Sequence, residues 1–176
     1  MLDLKQNSKK NICLIGLMGS GKSIIGKELA TAYKLKFYDT DLEIEREVGK
    51  TIKNIFLDHG EIYFRKIEEN VCLKILEFED CIISLGGGSI VNPKIRKLME
   101  KNAFSIYLKV DIKVLSERLK NTKKRPLLNN VNKTEKLNKL YNERKNYYNR
   151  SNITIENNFN KKEVIKEIKK KLLLNE

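Results

Sequence analysis

The chain is short of acid. Its 176 residues carry 36 Lys and Arg against 23 Asp and Glu, a formal net charge of +13. Such a surplus invites a nucleic-acid reading, because clustered cations attract phosphate backbones. The distribution speaks against it. Lys, Asn and Ile are abundant together, as an AT-rich coding sequence produces, and the charge is dispersed. The tail cluster from Lys161 to Lys171 is interleaved with Val164, Ile165, Ile168 and Leu172, the pattern of a helix with one solvated face. The sequence has no recognition-helix motif or RNA-binding signature, and its aromatics form no stacking platform.

Other scarcities exclude further classes. No apolar run approaches the roughly 20 residues of a membrane span. The N-terminus, MLDLKQNSKK, has no apolar signal core. It reads as a short mobile arm, residues 1–10, before one domain over 11–176. Only two prolines occur, and there is no internal repeat, linker or low-complexity segment. Cys13, Cys72 and Cys81 make no CxxC pair, so buried thiols in a reducing cytoplasm are expected rather than a metal cluster. His59 is the only histidine; it precedes Gly60 at a turn and reads as a loop residue rather than a catalyst.

What remains is an alternation of short apolar runs and helical periods. Strands are expected at 11–15, 36–38, 81–85, 103–108 and 152–155, and helices at 22–33, 61–78, 93–101, 111–120, 133–149 and 161–173. This order predicts an α/β fold, a five-stranded parallel sheet covered on both faces in three αβα layers. Ligands in such sheets sit at the carboxyl ends of the strands. Residues 16–23, Asp39 and the run Gly86-Gly87-Gly88 all fall there.

Gly16-Leu17-Met18-Gly19-Ser20-Gly21-Lys22-Ser23 fits GxxxxGK[ST] between a strand and a helix. Its glycines permit the tight turn, and its N–H groups with the helix N-terminus cradle phosphate. Lys22 is a mobile charge for the β- and γ-phosphates, and the Ser23 hydroxyl is a hard oxygen for Mg²⁺. The ATP-binding set is Gly19, Ser20, Gly21, Lys22, Ser23 and Ile24, with Arg118 and Arg125 from a basic loop at about 118–132 that reads as a mobile lid. In Asp39-Thr40-Asp41, one carboxylate suits hydrated Mg²⁺ and the other an attacking hydroxyl; Asp39 equally suits a helix N-cap. The third strand ends in glycines rather than an acid, which leaves metal duty to Asp39. Arg65, beside Phe56 and Phe64 and three residues before Glu68, suits a small carboxylic acid; a surface ion pair is the plainer reading. Arg144 offers a second carboxylate partner. The three glycines at 86–88 imply close approach to the backbone, or simply a flexible loop.

Taken in order, GLMGSGKS, DTD, FLDHGEIYFR, LGGG, RPLL and Arg144 make the chain similar to the shikimate kinases, within the nucleoside-monophosphate-kinase-like group of phosphate-loop enzymes. The resemblance covers nearly the whole chain. It implies the P-loop fold and ATP-dependent phosphorylation of the shikimate 3-hydroxyl. By resemblance, Lys22 serves phosphates, Ser23 binds Mg²⁺ and Asp39 holds it through water. Asp41 would hold the 3-hydroxyl. Arg65, Arg144, Gly86, Gly87 and Gly88, walled by Phe56 and Phe64, would hold the acid and its ring. Arg125 would act catalytically from the lid, together with Lys22 and Asp41, and Arg118 would lie near adenine. Family members often carry an adenine-contacting arginine before the last helix; Asn157-Asn158-Phe159-Asn160 has none. Gluconate or a nucleoside monophosphate is the alternative acceptor. A cytoplasmic monomer that binds ATP and shikimate, and neither nucleic acid nor membrane, is expected.

Overall fold

Strand β1 (Asn11–Ile15) alternates its side chains between two apolar layers, Ile12 and Leu14 to one face and Cys13 and Ile15 to the other. All of these are buried, so the strand must lie inside a sheet covered on both sides. The computed structural model describes residues 9–122, 126–128, 131–158 and 160–174. In it β1 is central. It pairs in parallel with β3 (Cys81–Ser84) and β4 (Ala103–Lys109), while β2 (Lys36–Asp39) and β5 (Ile153–Glu156) form the edges, in the order β2-β3-β1-β4-β5.

Helices α1 (Lys22–Tyr33) and α7 (Lys161–Leu173) cover one face through Ile25, Leu29, Val164, Ile168 and Leu172. The other face carries α2 (Thr40–Val48), α3 (Ile52–Leu76), α4 (Pro93–Asn102), α5 (Ile112–Arg118) and α6 (Lys133–Tyr148). Asparagine caps set several of these starts. The Asn92 side chain accepts from the N–H groups of Lys94 and Ile95 before Pro93 opens α4, and Asn132 and Asn160 cap α6 and α7. The basic tail is therefore a packed amphipathic helix.

Two local expectations change. The span α3 joins two helices: the one expected from 61 is present, and an unexpected one precedes it from Ile52, the two meeting at Gly60, whose φ 77° and ψ 177° are non-helical. That backbone is open to glycine, so the first limb of α3 stops at Gly60 and the second starts after it. His59 lies on the first limb of α3, its ring 4.5 Å from that of Tyr63. The described end of the N-terminal arm is also anchored, since Lys10 N–H donates to Asn102 O (2.8 Å) and Lys10 O accepts from Asp80 N–H (3.0 Å). Among the described residues, no helix is long and apolar enough to cross a membrane.

The three thiols are buried and form no disulfide. Burial pushes Cys81 up to about 12, helped by Asp80, and raises Cys13 and Cys72 as well. A raised pKa keeps each thiol protonated and unreactive near pH 8. Ellman's reagent at that pH is expected to label none of them in the folded protein and all three in guanidinium.

Candidate active site

The sheet brings together what lies far apart in sequence. Asp39 of β2 pairs in register with Ser84 of β3, which pairs with Leu14 of β1, so the three strand ends open onto one ridge. The loop 16–21 follows β1, the acid pair follows β2, and the glycine triplet follows β3.

Around the loop, Lys22 is buried and its Nζ donates to Gly16 O (2.9 Å) and Leu17 O (3.0 Å). The Ser23 hydroxyl donates to Asp39 Oδ2. Asp39 Oδ1 accepts from Asp41 N–H (3.1 Å), so Asp39 does cap α2 while its other oxygen faces Ser23. The N-cap reading of this residue holds. The pairing also tests a divalent cation. Hydroxyl and carboxylate are hard oxygen donors side by side, and among the described residues no cluster of three or more His, Cys, Asp and Glu exists. Such a pair fits Mg²⁺, which takes few protein ligands and completes its shell with phosphate and water.

A cavity over the loop is lined by Gly19, Lys22, Ser23, Asp39, Asp41 and Arg118, with Ile24 at its exposed rim. Arg118 Nη2 donates to Asn157 O (2.8 Å) and Nη1 to Gly19 O (3.4 Å). A second cavity lies beside it, with Phe56, Phe64, Arg65, Leu127 and Arg144 among its walls. Met18, Asp41 and Gly87 line both cavities.

The second cavity sets two phenylalanines beside two arginines and two acids, Asp41 and Glu68. Phe56 and Phe64 meet with ring centroids 4.7 Å apart. Arg65 Nη1 donates to Glu68 Oε2 (2.6 Å), and Nε and Nη2 both donate to Glu61 Oε1. Burial works against the Arg65 charge, but Glu68 and Glu61 outweigh it and raise its pKa. Glu68 is 3% exposed and also accepts from Ser89 Oγ (2.7 Å). Arg144 is 4% exposed; its Nη1 donates to Gly87 O (3.1 Å), and its buried Nε has no protein partner. Tyr148 OH donates to the same carbonyl (2.6 Å), and burial pushes that phenol up to about 12.

The glycine triplet is crowded by the chain itself. A Cβ at Gly87 would stand 3.1 Å from Gly16 O and 3.2 Å from Met18 N; one at Gly88 would stand 2.6 Å from Arg65 Nη1. Close approach was legible in the sequence, but the approaching groups are the phosphate loop and Arg65. Gly86 completes the turn, its N–H donating to Thr40 Oγ1 (2.8 Å). Arg125 lies outside the described residues, as does part of the 118–132 loop. Sequence reasoning missed Glu61, Ser89, Tyr148 and Asn157 as supports of this site.

A phosphate loop sharing a wall with a small cavity that carries two arginines fits a kinase of small-molecule acceptors, in the P-loop fold. A sequence profile described as shikimate kinase matches residues 18–173, and the chain belongs to the shikimate kinase family. The shikimate kinase of Bartonella quintana (strain Toulouse) is 40% identical over 152 residues, 86% of this chain and 72% of that one. That of Sulfurihydrogenibium sp. is 44% identical over 146 residues, 83% of this chain and 87% of the relative. A solved shikimate kinase from Acinetobacter baumannii, in complex with shikimate, superposes with a TM-score of 0.92 at 32% identity, covering 96% of this chain and 95% of that one.

Proposed function

We propose that this chain transfers the γ-phosphoryl group of ATP to the 3-hydroxyl of shikimate, giving shikimate 3-phosphate and ADP. The observation that carries the reading is the shared wall: Asp41, Met18 and Gly87 face both the loop cavity and the cavity of Arg65 and Arg144. A hydroxyl held at Asp41 then meets a phosphate held at Lys22 with no barrier between them.

The transition state of phosphoryl transfer is loose, so alignment and charge neutralisation dominate. Lys22, now bonded to two neutral carbonyls, exchanges them for β- and γ-phosphate oxygens, which are stronger acceptors. Ser23 and Asp39 would hold Mg²⁺, which supplies further charge neutralisation on those phosphates when bound. Asp41 accepts the hydrogen bond of the attacking hydroxyl and aims it. Arg65 and Arg144 take the acid group, and Phe56 and Phe64 pack the ring. Gly86, Gly87 and Gly88 let the phosphate loop and Arg65 pack closely around it. Arg118 flanks the base, and Arg125 is the further cation proposed for the transferring group. Unpaired, buried thiols suit a reducing cytoplasm, and the reading needs only one copy of the chain.

The test is ADP release with shikimate, gluconate and nucleoside monophosphates competing. Shikimate is expected to be preferred by at least about a hundredfold, because only an acid on a compact ring meets Arg65 and Arg144 while packing on Phe56 and Phe64. A preference for gluconate or a nucleotide would remove the acceptor assignment.

A further inference from the structure

We infer that Asn157 is a positioning residue for the phosphate loop, holding the peptide between Ser20 and Gly21 so that its N–H faces the polyphosphate. The inference rests on the nucleotide reading of residues 16–23 and adds to it a residue from the opposite end of the chain.

Asn157 follows β5 directly and is 5% exposed. Its backbone N–H donates to Lys109 O (2.8 Å), which extends the β4–β5 ladder and fixes where the side chain starts. Its Nδ2 donates to Ser20 O at 2.7 Å, a buried bond spanning 137 residues of sequence. Its own carbonyl accepts from Arg118 Nη2 (2.8 Å). One residue thus ties the last strand, the phosphate loop and the arginine at the cavity rim. Asn158 secures the segment from the other side: its Oδ1 accepts from Asp111 N–H (2.9 Å) and its Nδ2 donates to Asp111 Oδ2 (3.0 Å).

The consequence follows from peptide geometry. No cis peptide bond is present among the described residues, so the carbonyl and N–H of the 20–21 peptide point in opposite directions. Drawing Ser20 O toward β5 turns Gly21 N–H away from Asn157, and Gly21 lines the loop cavity. Rotation of this peptide would exchange a donor for a carbonyl oxygen in front of an anion. Gly21, at φ 90°, permits such rotation, and the Asn157 bond opposes it. The fit is close as well, for a Cβ on Gly21 would lie 2.7 Å from Asn157 Nδ2. The loop that lacks the family's adenine-contacting arginine thus acts from behind the phosphate site.

Isothermal titration of ADP and of inorganic tripolyphosphate separates this role from others. Asn157→Leu keeps the volume and removes the donor. It is expected to weaken both ligands by about ten- to a hundredfold, with KM for shikimate within about twofold. Asn157→Asp, which places a carboxylate against Ser20 O, is expected to bind both more weakly still, and it serves if the leucine variant does not fold. Affinity unchanged in both variants overturns the inference. So does a loss for ADP without a loss for tripolyphosphate, which would assign Asn157 to the base through Arg118. Neither titration involves shikimate, so failure of the acceptor reading would appear separately, as absent turnover in the unaltered protein.

Discussion

Asp41→Asn is expected to lower kcat by about a hundred- to ten-thousandfold while both KM values stay within about threefold. Asn matches the shape of Asp, and the backbone bond from residue 41 to Asp39 does not involve the side chain. Substrate packing therefore persists, and what is lost is the charge facing the attacking hydroxyl. The size of the residue matters as much as the loss. An amide oxygen still accepts a hydrogen bond, so an orienting group leaves Asn measurably more active than Ala. A residue acting only as a strong base would leave Asn and Ala equally impaired, and that equality would refute the orienting role. An unchanged kcat would place the hydroxyl elsewhere.

Arg65→Ala is expected to abolish most shikimate turnover while ADP still binds, and it also removes the partner of a buried acid. Glu68 would keep its bond from the Ser89 hydroxyl and lose its guanidinium. Breaking a fully buried pair costs roughly 3–5 kcal/mol. Arg65 is 31% exposed, so about 2–3 kcal/mol of stability is expected to go, read by urea denaturation. The second substitution separates the two effects. Arg65→Ala with Glu68→Gln is expected to regain most of the stability and none of the turnover. If turnover returned with stability, Arg65 would hold the fold and not the acceptor.

The strand ends were legible because each carries a local chemical mark. Asp39 and Asp41 stand at the end of an apolar run, and the three glycines mark a close backbone approach that the structure fills with the loop and Arg65. The break at Gly60 was legible, but the helix before it was not. Before Gly60 the stretch FLDHG has the composition of a turn, and only packing of Ile52, Ile55 and Phe56 makes it helical. Asn157 was hidden for a different reason. An asparagine after a strand carries the ordinary marks of a loop residue, and nothing near it in sequence specifies Ser20. Tyr148 is similar: its helical period marks it as core, whereas its hydroxyl reaches Gly87. Side chains that act through a backbone carbonyl leave little trace in a single sequence.

The wall common to the two cavities has a consequence for ligand chemistry. Met18, Asp41 and Gly87 line both, so the two cavities adjoin. A cyclohexene acid joined covalently to an adenosine polyphosphate would lie across both with a short tether. Its second half would then bind at the high effective concentration of an intramolecular event, and its affinity would exceed that of either fragment. The wall that lets a phosphoryl group cross is also what would let one inhibitor grip both sides.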